Sequence, residues 1–242
     1  MKKLIKGLRE FQTSYFSTHQ ELFEQLSHGQ KPRVLFVTCS DSRVDPNLIT
    51  NAQVGEIFVI RNAGNMIPPY GATNGGEGAA VEYAVQALGI QDIIVCGHSH
   101  CGAMKGLLKM DQLKEEMPLV YDWLKQAEAT RRLVKENYST LEGEALLEIT
   151  IAENVLTQIE NLRTYPMIHS KIRQGNLSLH AWVYSIEAGR VFAYDAVRHE
   201  YVSPVGPPQP RDPEELLPPT PGHPASWLSP EQAERIYRGS VR

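Results

Sequence analysis

Between residues 3 and 27, Leu4, Leu8, Phe11, Tyr15, Leu22 and Leu26 recur at spacings of three, four and seven, which predicts one face of a long amphipathic helix ended by Gly29. A helix this apolar ahead of the first strand must cover either its own core or a partner subunit. The pattern then changes to short β-branched runs, VLFVTC (34–39), EIFVIRN (56–62) and DIIVCG (92–97), each of which reads as a buried strand of a parallel sheet. GEGAAVEYAVQALG, between the second and third runs, is Ala-rich and of helical length, so strand, helix and strand alternate. Residues 118–138 and 142–163 read as two further helices, the second capped by Thr140 or its neighbours, and SLHAWVYSI (178–186) with RVFAYD (190–195) reads as a hairpin around residues 187–189. The expected fold class is α/β, a mostly parallel central sheet flanked by helices, with the long N-terminal helix available for dimer packing.

The globular part closes near Val202, because ten of the sixteen prolines fall between Pro204 and Pro230. Such a segment forms neither helix nor sheet and reads as an extended linker. In SPEQAERIYRG, Ser229 is a good N-cap, Pro230 suits the first helical position, Gln232 completes a capping box and Gly239 suits the stop. The domain reading is therefore 1–202 for the main unit, 203–228 for a linker and 229–242 for a short C-terminal helix. A helix from Pro230 to Arg238 is too short to stand alone, since isolated helices below about 12–15 residues are marginal. Ala233, Ile236 and Tyr237 share a face, preceded by Trp227 and Leu228 and rimmed by Arg235, Arg238 and Arg242. Helix-in-groove docking on a partner would use that face, and folding back on its own domain is the alternative.

Composition narrows the function. A chain of 242 residues, 42% hydrophobic and 21% charged, suits one sizeable core. A formal charge of −4 offers no basic field for nucleic acid or an anionic membrane, and no stretch approaches the ~20 apolar residues of a membrane span. The N-terminus has no apolar signal region, so a soluble, cytoplasmic protein with a small substrate is expected. Three cysteines cannot all pair within one chain, and reduced thiols serve better as metal ligands or core residues.

The strongest local signal is CSDSR (39–43) at the end of the first strand, joined with GHSHCG (97–102) at the end of a later one. In parallel sheets, loops beyond the carboxyl ends of the strands form the ligand crevice, so both loops can converge. Cys39, His98 and Cys101 would supply two thiolates and an imidazole, a set that suits zinc. Three protein ligands leave a fourth position for water, as catalytic rather than structural zinc sites do. Two thiolates already neutralise the ion, so water should be acidified less strongly than by three histidines, and nearby groups must help. Asp41 and Arg43 provide that help if the loop aims both inward, because arginine holds a carboxylate through two hydrogen bonds where it can accept a proton. Released by Arg43, Asp41 could bind the ion itself and close the site. Taken singly, Cys39 reads equally as a buried thiol and Asp41–Arg43 as a surface pair; the combination favours the metal site. His100 reads as a solvent-facing loop residue or proton relay, and Cys96, inside a strand, as a core thiol.

In this order, CSDSRVDP, RNAGNMIPPYG, GEGAAVEYAV and GHSHCGAMKG resemble the signature blocks of β-class carbonic anhydrases, over residues 1–202. The resemblance implies reversible hydration of CO2 to bicarbonate and a proton, one Zn2+ per subunit, and an obligate homodimer or higher assembly with sites at the interface. It places the zinc ligands on Cys39, His98 and Cys101, and the carboxylate–guanidinium pair on Asp41 and Arg43. The substrate pocket falls on Gln30, Phe58, Ala63 and Tyr83, some reaching across the dimer, with the Gly102 N–H serving substrate or product. A largely apolar pocket with one amide suits CO2, which has no charge. Phe36 stands where one branch of the family carries a tryptophan of an inhibitory bicarbonate site, which implies the constitutively open branch. The stretch VYDWLKQAEATRRLVKENYSTLEGEALLE and the ending EQAERIYRGS resemble cyanobacterial carboxysomal members. They imply work beside ribulose-bisphosphate carboxylase inside the carboxysome, with residues 229–242 docking on a scaffold or shell protein.

Three rivals remain at this level. A nucleotide-binding oxidoreductase is disfavoured, because GGEGAA (75–80) lacks the third glycine of the fingerprint and places Val81 there. A non-catalytic zinc protein of carboxysome assembly would leave Asp41 and Arg43 without purpose. A CS2 or COS hydrolase on the same fold shares the signature.

Overall fold

A computed structural model describes residues 1–73, 75–205 and 227–235. Its framework is a sheet ordered β2-β1-β3-β4-β5-β6, formed by Val34–Cys39 (β1), Ile57–Asn62 (β2), Asp92–His98 (β3), Ser178–Ser185 (β4), Arg190–Asp195 (β5) and Glu200–Val202 (β6). The helices in chain order are Lys2–Glu10 (α1), Gln20–Ser27 (α2), Pro46–Thr50 (α3), Gly76–Gln86 (α4), Gly102–Leu108 (α5), Met110–Glu116 (α6), Pro118–Leu124 (α7), Glu128–Asn137 (α8), Gly143–Arg163 (α9), Pro166–Arg173 (α10) and Pro230–Arg235 (α11).

The first four strands of the sheet order run parallel, and β4, β5 and β6 close it as antiparallel neighbours. This is the mostly parallel α/β architecture expected from the sequence. β2 lies on one side of β1 and β3 on the other, so the connections after β1 and β3 diverge and open a crevice beyond their carboxyl ends. Cys39 ends β1 and His98 ends β3.

The two sheet faces are covered unequally. Leu35, Val37, Ile93 and Val95 join the main core with α4, α5 and the largely buried α9. Gly97 lets α9 approach closely, since a Cβ there would lie 2.8 Å from Val155. On the opposite face Phe36, Ile94 and Cys96 form a small separate cluster with the half-buried Trp182 and Tyr184. A groove of about 1050 Å3 opens there, lined by Leu22, Leu26, Gln30, Phe36, Ile94 and Trp182 among others.

Several elements differ from the sequence expectation. The helix expected over 3–27 is interrupted: a π-helical segment, Phe11–Phe16, follows α1, and α2 begins only at Gln20. The hydroxyls of Thr13, Ser17 and Thr18 donate to the carbonyls of Arg9, Thr13 and Ser14, competing with the regular ladder there. No residue of α1, the π segment or α2 is buried by the chain itself. The helix expected over 118–138 is divided into α7 and α8 by a 3-10 turn, Lys125–Ala127. α9 is preceded by Glu142 with no side-chain cap, so Thr140 does not serve. Strand β6 follows a turn in which Asp195 Oδ1 accepts from the N–H groups of Val197 and Arg198, a turn without the glycine or proline that usually announces one.

The C-terminal capping box forms as expected: Ser229 N–H donates to Gln232 Oε1 at 2.8 Å and Gln232 N–H to Ser229 Oγ at 3.3 Å. This segment lies on its own domain. Trp227 and Leu228 are only 8% and 2% exposed, the Trp227 ring meets Phe192, and Gln232 Nε2 donates to Ala145 O. Glu153 Oε1 and the Arg235 carbonyl both lie 2.5 Å from the Tyr138 hydroxyl. Most of the Pro-rich stretch, and Ile236, Tyr237, Arg238, Gly239 and Arg242, lie outside the described residues.

Candidate metal centre

CSDSRVDP leaves β1 and is anchored at both ends. Asp45 caps α3, accepting from Leu48 N–H at 3.2 Å, and Pro46 occupies the first helical turn. At the other end Arg61, next to last in β2, donates from Nε to Cys39 O at 3.1 Å and from Nη2 to Asp41 O at 2.7 Å. The loop after β3 is pinned as firmly. Ser99 N–H donates to Tyr184 O, Ser99 Oγ donates to Glu187 Oε2 at 2.6 Å, and Ile186 N–H donates to Ser99 Oγ.

These two loops bring one ligand atom each from Cys39, His98 and Cys101 within 4.8 Å of one another, all buried. His98 Nδ1 lies 2.9 Å from Ser99 O, so that nitrogen carries the proton and Nε2 presents its lone pair. Nε2 is fully buried and has no hydrogen-bond partner among the described residues, a state that costs about 1–3 kcal/mol unless a ligand completes it. Two sulfurs and an imidazole nitrogen are the donor set zinc favours. The thiols themselves ask for a cation. The Cys101 thiol beside it and the backbones of Gly64 and Asp41 draw the Cys39 thiol down to about 4 despite burial. The second proton is held on Cys101 by the neighbouring thiolate and by burial. The group fits a divalent, sulfur-seeking ion.

Beside it, Arg43 Nε donates to Asp41 Oδ1 at 2.9 Å and Arg43 Nη2 to Asp41 Oδ2 at 2.8 Å, with Arg43 N–H adding a third bond. The guanidinium holds the Asp41 carboxyl well below the usual carboxylate range. Asp41 Oδ2 is 3.9 Å from His98 Nε2. Arg43 also reaches His100 O at 3.4 Å, bridging the two loops. Asp41 is thus held by arginine in this structure.

The remaining candidates divide into near and far. Ala63 follows β2 beside the centre, and its carbonyl accepts from Trp123 Nε1; Gly102 begins α5 directly after Cys101. Gln30, in contrast, precedes β1 at the end away from Cys39, and β1 alone spans about 16 Å. Phe58 pairs with Leu35 in the register, four residues short of Asn62, the partner of Cys39. Tyr83 packs on Phe58, ring centroids 6.2 Å apart. Gln30, Phe58 and Tyr83 therefore do not meet the centre of their own chain. Cys96 falls in the Phe36 cluster, on the face away from Cys39, and burial pushes its thiol up to about 12. It is a core thiol. His100 is a loop residue at φ 56°, with Nδ1 2.8 Å from Glu144 Oε1 and Nε2 3.6 Å from Glu187 Oε2.

Sequence reasoning missed Arg61, Ser99, Glu187, Trp123 and Asn154. Arg61 stands inside the RNAGNMIPPYG block and could have been found there. Ser99 stands inside GHSHCG itself, whereas Glu187, Trp123 and Asn154 come from distant segments with no local signal.

The chain is similar to several known proteins. A family model described as carbonic anhydrase matches residues 34–191. A carbonic anhydrase from Synechocystis sp. is 58% identical, covering 99% of this chain and 100% of that protein. One from Synechococcus elongatus is 53% identical and covers 100% of both. Among solved structures, the β-carbonic anhydrase CcaA is 68% identical with a TM-score of 0.83, covering 84% of this chain and 99% of that one. Tetrameric β-carbonic anhydrases of Sordaria macrospora match at 26% identity and a TM-score of 0.72, over 79% of this chain and 95% of theirs.

Proposed function

The chain belongs to the β-carbonic anhydrase family, and on that premise we propose that it is a zinc enzyme in which Cys39, His98 and Cys101 hold the ion while Asp41 and Arg43 direct the reacting water. The family activity is the reversible hydration of CO2 to bicarbonate and a proton. The observation that carries the zinc reading is the buried, unpartnered His98 Nε2 beside two thiols. Zinc held there would supply Lewis acidity, lowering the pKa of water next to CO2. The chain supplies the rest. Arg43 keeps Asp41 ionised and fixed, so Asp41 Oδ2 offers an acceptor lone pair for a water proton close to His98. Arg61 holds the backbone of Cys39 and Asp41 so that neither ligand nor acceptor drifts.

The substrate pocket on this reading needs a second copy. Gln30, Phe58 and Tyr83 lie away from their own centre, whereas Ala63 and Gly102 lie next to it. A partner subunit would bring the amide and the aromatic wall to CO2, and Gly102 N–H would serve substrate or product. The arm supports assembly: Leu4, Leu8 and Phe11 are 65%, 64% and 42% exposed, an apolar face that a monomer would leave in water. The tetrameric relatives point the same way.

Carboxysomal work, supplying CO2 to ribulose-bisphosphate carboxylase, is the cellular extension of this proposal. Cyanobacterial relatives that span the whole chain, tail included, support it. Among the described residues no helix is long and apolar enough to cross a membrane. On this reading the chain divides into an enzyme domain over 1–202, a linker and a docking end over 229–242. Since Trp227, Leu228 and Gln232 are already buried on the same chain, a scaffold or shell protein would read the outer face of α11 and residues 236–242. Deleting residues 204–242 tests this; unchanged localisation in the cell would end the recruitment idea.

Stopped-flow CO2 hydration with metal analysis of the same preparation tests the enzyme reading. One zinc per subunit with rapid hydration supports it. Zinc without hydration would favour an assembly protein, and turnover of CS2 or COS but not CO2 would favour a hydrolase.

A further inference from the structure

The peptide unit joining Ala63 to Gly64 is bonded at both ends. Its N–H, on Gly64, donates to Cys39 Sγ at 3.4 Å. Its carbonyl, on Ala63, accepts from the Trp123 indole Nε1–H at 2.7 Å. The next carbonyl, Gly64 O, accepts from the buried Asn154 Nδ2 at 3.0 Å, and Asn154 Oδ1 accepts from Gln158 Nε2 at 3.0 Å. Gly64 stands at φ +85°, and a Cβ there would come within 2.9 Å of Met104 Cε. A side chain at this position would push the N–H away from the sulfur.

Hydrogen bonds that pass through one amide reinforce each other, because a donor on the oxygen makes the N–H a stronger donor. We propose that Trp123 is a positioning residue of the metal centre: its indole N–H, acting through the Ala63–Gly64 peptide, strengthens the N–H···S bond to Cys39 and draws charge off that thiolate. Asn154 fixes the orientation of the loop from the other side. The inference rests on the proposed zinc reading and supplies something that reading lacks. Two thiolates donate heavily to a bound ion and blunt its power to acidify water; a peptide N–H on one sulfur returns part of that power. Trp123 reaches Ala63 from α7, sixty residues along the chain, so the tuning is a tertiary device rather than a property of the ligand loops.

The test uses the full chain with cobalt(II) in place of zinc. Wild-type protein should display a thiolate-to-cobalt charge-transfer band. Trp123→Phe keeps an aromatic ring at the position and removes the N–H donor, so the band should move to longer wavelength, and the zinc form should lose about 10-fold in CO2 hydration. Tyr165→Phe is the control, because the Tyr165 hydroxyl donates to Pro68 O in the same loop at 3.0 Å and stands outside the Gln158–Asn154–Gly64 chain; it should leave the band in place. A second measurement needs no substitution. In wild-type protein loaded with NMR-active cadmium, the Gly64 amide proton should show scalar coupling to the metal, and its absence would overturn the N–H···S bond whether or not Trp123→Phe folds. A band unmoved in folded Trp123→Phe removes the role of Trp123 alone. A wild-type protein with no charge-transfer band removes the metal centre, and the inference with it.

Discussion

Arg43 grips Asp41 through a two-pronged hydrogen bond, Nε to Oδ1 and Nη2 to Oδ2, while Oδ2 stands 3.9 Å from His98 Nε2. On the proposed zinc reading, the carboxylate is within a small side-chain movement of the ion's ligands and is kept from them by the guanidinium. Arg43→Met should release it. CO2 hydration is expected to fall about 10- to 100-fold with zinc retained, while Asp41→Asn should keep the metal and lose most activity. Full turnover in Asp41→Asn, measured by stopped flow, would remove that carboxylate from the mechanism.

Cys39→Ser and His98→Ala should each abolish stoichiometric zinc, because each removes one of the three donors proposed for the ion. Cys96→Ser should not, since Cys96 lies in the cluster on the other sheet face. Metal analysis of the three purified variants decides; zinc lost from Cys96→Ser alone would contradict the proposed ligand set.

The exposed arm predicts assembly. Replacing both Leu8 and Phe11 by Asp should convert the oligomer to monomer in sedimentation analysis, and activity should fall with it, because Gln30 and Phe58 would no longer complete a neighbouring site. An active monomer would place the whole pocket in one chain.

Acid should act on the α8 surface in a defined window. Arg131 and Arg132 bond the Glu128 carboxylate at 2.7 and 3.0 Å and hold it from 4.5 down to about 2. The unfolded chain then binds the proton more tightly, so this contribution is complete above about pH 4.5 and is lost as pH falls toward about 2. Glu128→Gln should lower stability at neutral pH by less than about 1 kcal/mol, given solvent screening. Thermal melts should bring the variant and wild type together as pH drops through that window; a constant gap would refute the linkage.

Leu228→Ala should loosen the C-terminal segment, since burying this side chain contributes about 2 kcal/mol. Limited proteolysis beyond residue 205 should accelerate while zinc content stays constant. Unchanged proteolysis would mean that Leu228 does not anchor the segment.

Periodicity alone located β1, β2, β3, β4 and β5 to within about a residue, and the start of α4, which ends at Gln86 rather than Gly89, because each packs through a local pattern of period 2 or 3.6 that the chain must carry wherever it is buried. The capping box at Ser229 and Gln232 was equally legible, being a contact between residues three apart. Donor chemistry in two short blocks singled out Cys39, His98 and Cys101 as candidates, since each loop is contiguous. What the sequence left open depends on contacts between distant segments. It could not say that Cys96 faces away from Cys39, that Trp227 and Leu228 fold back on the domain, or that Gln30 and Phe58 lie far from their own centre. Nor could it reveal Trp123 and Asn154 converging on the loop at Gly64. Such contacts are decided by which strands become neighbours and which way the connections leave the sheet, and only the β2-β1-β3 order, with its crevice between two diverging loops, settles them.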